Sequence, residues 1–125
     1  MLFDTDVLIW FHRGNAGAAA LASSVAQRFI SVVTLLEVLQ GAKNRREQDD
    51  IKDFLETFNF QVLPLTENIG SRAVVYVEEY GLSPGLHALD ALIAATAAEQ
   101  GLTLATANRR HFACLTGLRL KIFVP

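Results

Sequence analysis

Residues 88–106, ALDALIAATAAEQGLTLAT, decide the fold class. From Ala88 to Ala98 the stretch sets a single charge, Asp90, and one threonine among alanine, leucine and isoleucine. Such a composition predicts a helix that is buried around most of its circumference. Gly101 stops it at the C′ position, where a left-handed residue is favoured, and Leu102 to Thr106 reads as a strand. Working outward, the same alternation recurs along the chain. Met1 to Phe3 is a short apolar start ending at Asp4, followed by an amphipathic stretch from Val7 to Arg13. Asn15-Ala16-Gly17 breaks it, Ala18 to Arg28 reads as an Ala-rich helix, and the β-branched run Phe29 to Val33 as a buried strand. A helix begins at Thr34 and stops near Gly41. Ile51, Phe54, Leu55 and Phe58 give Glu47 to Phe58 a helical apolar face. Phe60 to Leu63 is a strand ended by Pro64, Ile69 to Tyr80 a helix, Gly81 to Gly85 a turn, and Leu118 to Val124 a last strand. Strands separated by helices predict an α/β fold with a parallel sheet covered on both faces.

The chain has 125 residues, the usual size of one domain, so residues 1–125 are expected to form a single unit. Hydrophobic residues make up 51% and charged residues 19%, which excludes a disordered chain. A mean hydropathy of +0.29 points to apolar surface covered by a partner. No charge-free apolar run is long enough for a membrane span, and Asp4 and Asp6 interrupt any leader-like segment at once, so a cytoplasmic location is expected. The lone cysteine, Cys114, leaves no disulfide framework and no cysteine-based zinc site. His12, His87 and His111 show no ligand spacing and read as surface or cap residues. The formal net charge of −2 weighs against nucleic acid only if charges are spread evenly. With Asp4, Asp6, Glu37 and Asp90 gathered in one metal site, the bases outnumber the remaining acids, and phosphate binding becomes compatible with the balance.

Four positions converge by order and direction alone. Asp4 ends the first strand. Glu37 lies in the first turn of the helix leaving the second. Asp90 lies near the start of a helix whose N-terminus sits over the carboxyl edge of the sheet. Asn108 lies just past the strand Leu102 to Thr106. Open α/β sheets place their sites along that edge. Each residue also has a plain structural reading. Asp4 is a fitting N-cap. Thr34 and Glu37 spell a capping box, with Val33 and Val38 as its staple. Asn108 is an ordinary turn residue. Asp90 resists such a reading, because a carboxylate in an apolar helix with no Lys or Arg within four positions needs another partner. A bound cation supplies one, and oxygen ligands alone suit Mg²⁺ or Mn²⁺.

The segments FDTDVLI (3–9), TLLEVLQGA (34–42), LDALIAATA (89–97) and ATANRRHF (105–112), in this order and spacing, resemble PIN-domain ribonucleases, and among them the VapC toxins of bacterial toxin–antitoxin pairs. The resemblance covers the whole chain. It implies a three-layer α/β/α sandwich around a mainly parallel central sheet, Mg²⁺- or Mn²⁺-dependent cleavage of RNA, and inhibition by a cognate antitoxin. Asp4, Glu37 and Asp90 match the family's acidic triad, and Thr5 the hydroxyl that supports the metal shell. Asp6 stands where the family more often has asparagine or serine, and Asn108 where many members have a fourth acid. An amide oxygen at position 108 can ligate an ion but brings no charge.

Lys43, Arg45, Arg46, Arg109 and Arg110 are candidates for RNA phosphates or antitoxin carboxylates. Trp10 and Phe11, with the Ala-rich helix, suggest a homodimer built on the flank of the sheet. Two rival readings use the same first motif or fold. A haloacid-dehalogenase-like phosphatase would take Asp4 as nucleophile and Asp6 as general acid, but the chain is short for that fold and lacks a lysine between Lys52 and Lys121. A receiver domain wants a phospho-acceptor Asp ending the third strand, where this chain has Val62-Leu63-Pro64. A third rival keeps the PIN fold but only binds RNA or protein, and the complete acidic triad weighs against it.

Overall fold

The computed structural model describes all 125 residues, Met1–Pro125. Five strands form one sheet: β1 (Leu2–Phe3), β2 (Arg28–Ser31), β3 (Phe60–Leu63), β4 (Leu104–Thr106) and β5 (Leu120–Ile122). Their order is β3-β2-β1-β4-β5, and every pair is parallel. Seven helices connect them: α1 (Thr5–His12), α2 (Ala16–Ser23), α3 (Val32–Gln40), α4 (Arg45–Thr57), α5 (Glu67–Tyr80), α6 (Ala88–Gln100) and α7 (Arg109–Phe112). From β1 the chain steps one way to β2 and β3, then returns to lay β4 and β5 on the other side. The reversal falls between β1 and β4, the place where open parallel sheets open a crevice at their carboxyl ends.

Alternation along the strands builds the two outer layers. Leu2 and Leu104 face a core completed by Ile69, Ala73, Ala91, Ile93, Ala94 and Phe112 from α5, α6 and α7. Phe3, Ile30 and Ala105 face the opposite core, with Val7, Leu8, Phe11, Ala18, Ala22 and Leu55 from α1, α2 and α4. The predicted α/β/α sandwich is therefore present. Its apolar helix α6 is buried as its composition requires, with Ala91, Ile93, Ala94, Ala95, Thr96 and Ala97 all inaccessible. Phe11, offered with Trp10 as a dimer contact, instead packs against Phe54 and Phe58 at centroid distances of 4.8 Å. Trp10 remains partly exposed.

Several boundaries differ from the expectation, each for a local reason. The run Phe29 to Val33 is strand only to Ser31, because the Ser31 hydroxyl accepts from the Val33 amide at 3.0 Å and starts α3 at Val32. The capping box at Thr34 therefore does not form, and its staple is also missing, since Val33 and Val38 lie in opposite cores. The Ala-rich helix ends at Ser23 rather than Arg28. Arg28 enters β2 instead, and its guanidinium donates to the carbonyls of Ala22 and Phe58 at the spent ends of α2 and α4. The break at Asn15 is a cap, with its side chain accepting from the Ala18 amide, so α2 begins at Ala16. Asn44 caps α4 likewise, so the helix starts at Arg45, two residues ahead of the expected Glu47, and Glu47 accepts from the Lys43 amide. Thr66 starts α5 at Glu67. The short helix α7 was unforeseen in the sequence.

Gly101 adopts φ 65° at the end of α6, and nothing lies within 4 Å of where a Cβ would stand. A side chain there meets only backbone strain. Gly101→Ala should lower stability by about 1 kcal/mol, read as a lower urea midpoint with an unchanged slope, and Gly101→Asn should lose less.

Candidate active site

The site begins where β1 passes into α1. Asp4, the N-cap of α1, is 5% exposed and lies beside the β1/β4 reversal. Its Oδ1 accepts from the Thr5 amide at 2.8 Å and its Oδ2 from the Thr106 hydroxyl at 2.8 Å. Thr106 ends β4 and accepts in turn from the Asn108 amide at 3.0 Å. The cap reading and the site reading of Asp4 thus describe one residue. Asp6 faces the loop after β4: its Oδ1 accepts from the Val7 amide at 2.7 Å and its Oδ2 from the Ala107 amide at 3.0 Å.

Thr5 points a third way, donating to Glu37 Oε1 at 2.7 Å. Its oxygen also lies 3.0 Å from the hydroxyl of Thr34, which is fully buried. A hydroxyl carries one proton, so with the Thr5 proton on Glu37, Thr34 must be the donor between the two threonines. Glu37 is half-buried and borders a groove of about 480 Å³ between α1, α3 and α4, which Leu8, His12, Lys43 and Phe54 also line.

Asp90 lies in the first turn of α6, its side chain 19% exposed. It lines a second cavity of about 670 Å³ together with His87, Asn108, Arg109, Arg110 and His111. Asp4, Asp6 and Asp90 thus lie close enough to repel one another, and the Asn108 amide is linked to Asp4 through Thr106, whereas Glu37 borders the other groove and is tied to Thr5. Arg109 and Arg110 are exposed at the rim of the Asp90 cavity, and Lys43 sits in the Glu37 groove, whereas Arg45 and Arg46 are exposed on the first turn of α4 outside both. The sequence reading passed over His111. Its Nδ1 is 3.1 Å from Asp90 Oδ2, a contact that the unforeseen helix α7 creates. The available signal was the apolar Phe112 beside it, a buried anchor in an otherwise polar run.

Every buried polar side-chain atom has a hydrogen-bond partner, yet the charge is not balanced. The ion pairs are His12–Asp50, Arg72–Glu99 and His111–Asp90, and none includes Asp4 or Asp6. Burial, then repulsion from Asp6 and more weakly from Asp90, pushes the Asp4 carboxyl up to about 7 against the bonds from Thr106 and Thr5. Asp6 is raised by burial and by Asp90, while the Ala107 and Val7 amides and His111 pull it down. No three acidic or histidine side chains already surround one point. The fit to a divalent cation rests instead on donor chemistry: oxygen ligands carrying coupled, uncompensated negative charge, next to a cavity. In EDTA, the folded chain between pH 4 and about 7 keeps a proton on Asp4 that the unfolded chain has released. Stability should therefore fall as pH rises through that window and level off above it. Asp4→Asn should flatten the profile, as seen in melting temperature measured from pH 4.5 to 8.

Comparison with known proteins is consistent with this geometry. The PIN domain family profile matches residues 1–115. Over 129 aligned residues the chain is 36% identical to Ribonuclease VapC10 of Mycobacterium tuberculosis, covering 100% of this chain and 95% of that protein. A toxin–antitoxin complex from Klebsiella pneumoniae contains a chain 33% identical, with a TM-score of 0.79 and coverage of 94% and 93%. VapBC2 from Rickettsia felis, bound to a DNA fragment from its promoter, shares the fold at TM-score 0.87 and 18% identity, with 98% of each chain covered. No helix here is long and apolar enough to cross a membrane. By the extent of the family match and of the identity, this chain belongs to the PIN-domain family.

Proposed function

We propose that this protein is an endoribonuclease that hydrolyses RNA phosphodiesters with Mg²⁺ or Mn²⁺ and acts as the toxin of a toxin–antitoxin pair. One observation carries the reading: Asp4 is buried at the sheet reversal, coupled to Asp6 and Asp90, and no basic side chain neutralises it. The ribonuclease relative and the toxin–antitoxin complex support the substrate and the partner. A phosphatase using Asp4 as nucleophile is disfavoured, since the PIN family profile matches residues 1–115 and the chain has no lysine between Lys52 and Lys121.

Asp4 and Asp90 are the residues that would hold the ion, with Glu37 and the Asn108 amide oxygen as further oxygen donors. When bound, the cation supplies charge for the phosphate oxygens and acidifies its water. Thr106 keeps one Asp4 oxygen fixed, and Thr5 fixes one oxygen of Glu37. Asp6 reaches further: its oxygens hold the backbone amides of Val7 and Ala107, so it pins the loop that carries Asn108 and adds negative charge beside Asp4. Arg109 and Arg110 border the Asp90 cavity and suit RNA phosphates, while Lys43, Arg45 and Arg46 suit phosphates or antitoxin carboxylates. Exposed Leu36, Val74, Val75 and Val77 leave apolar surface for a second copy of the chain.

Cleavage of a single-stranded RNA should leave 5′-phosphate and 3′-hydroxyl ends and should stop in excess EDTA. Asp90→Asn should abolish cleavage while melting remains cooperative. Undiminished cleavage in EDTA would overturn the proposal. A second measurement separates the loop-pinning role of Asp6 from ligation. Calorimetry with Mn²⁺ should show Asp4→Asn abolishing binding, with Asp6→Asn weakening it far less.

A further inference from the structure

Three features fix His111. Phe112, fully buried among Ile93, Ala94 and Leu115, anchors α7 against α6. The loop leading to it is tied at both ends, by the Ala107 amide on Asp6 and by the Asn108 amide on Thr106. The His111 amide then donates to the Asn108 carbonyl at 3.0 Å, closing the turn. The imidazole is thereby carried to Asp90, with Nδ1 at 3.1 Å from Oδ2, while 48% of the side chain stays exposed. Within the cavity it is the only basic group that reaches a carboxylate: Arg109 and Arg110 make no ion pair, and the His87 ring lies 6.5 Å from that of His111 without pairing.

We infer that His111 is a positioning residue that holds Oδ2 of Asp90 and so presets the carboxylate for the divalent cation. The inference rests on the metal-dependent reading above. Asp90 sits on a helix turn with no cation on its own element, and a side chain lying 19% exposed beside a cavity has several rotamers open to it. An imidazole in contact with one oxygen restricts the choice among them and leaves the other oxygen for the ion. Partners that orient a metal ligand in this way commonly contribute 10–100-fold to metal affinity. Because the ring is half exposed, its packing contributes little, and its removal should not unfold the chain.

The test is Mn²⁺ titration by calorimetry of the whole chain, with melting followed in parallel. The wild type should bind, and Asp90→Asn should not; a wild type that binds no Mn²⁺, or an Asp90→Asn that binds as well, overturns the metal reading and this inference with it. Given that control, His111→Ala should weaken Mn²⁺ by about 10-fold or more at a nearly unchanged melting temperature. His111→Asn, which keeps a polar group at the place of Nδ1, should recover most of the affinity, whereas His111→Gln should not. His87→Ala should bind as the wild type does. Equal or tighter binding in His111→Ala, or equal loss in the Asn and Gln variants, would overturn the positioning role while leaving the metal reading intact.

Discussion

The hydrogen bond from Thr106 to Asp4 joins the ends of the two strands between which the sheet reverses. β1 and β4 are adjacent in space but separated by most of the sequence, so this bond fastens a long-range strand pairing at its carboxyl end. It keeps a carboxylate buried at the spot where a parallel sheet leaves an open crevice. Two neutral donors, Thr106 and the Thr5 amide, satisfy its oxygens without cancelling its charge. Asp6 and Asp90 add to that charge. The fold thus tolerates an unfavourable arrangement at one point, as functional sites commonly do, and a divalent cation bound there, as proposed above, would resolve it.

Hydroxyls, rather than ion pairs, hold Asp4 and Glu37. Thr34 donates to Thr5 and Thr5 to Glu37, while the Asn108 amide donates to Thr106 and Thr106 to Asp4. A lysine or arginine in either place would satisfy the carboxylates but neutralise them and occupy the ion's position. Threonine does neither, because it supplies one proton and no charge. The β-branched side chain also suits its surroundings, since Thr34 and Thr106 are fully buried against apolar neighbours.

The sheet, its parallel sense and the carboxyl edge bearing Asp4, Glu37, Asp90 and Asn108 were legible in the sequence, because strand–helix alternation and chain direction determine them. The apolar helix with a lone Asp90 announced itself by composition. What stayed hidden depends on contacts between distant residues. Ser31 and Thr34 are both plausible caps, and only the seat of Thr34 against Thr5, 29 positions away, decides between them. Arg28 looked like the end of a helix because nothing local shows that it caps two others. His111 lacked metal-ligand spacing, and its relation to Asp90 follows from how Phe112 docks α7 on α6. The family resemblance supplied the substrate; the residues themselves supplied the convergence of acids and the expectation of a cation among them.

Helical geometry explains why three consecutive residues can serve three different elements. Once the chain leaves β1 and enters α1, successive side chains turn by about 100°. Asp4 therefore reaches β4 through Thr106, Thr5 reaches α3 through Glu37, and Asp6 reaches the loop before α7 through Ala107. Had β1 continued through these positions, alternation would have sent Asp4 and Asp6 to one face and Thr5 to the other, and no single point could have gathered all three neighbours. The two-residue length of β1 is in this sense a requirement of the site. Ending the strand at Phe3 places a helix turn, with its fan of side chains, at the crevice where the sheet reverses.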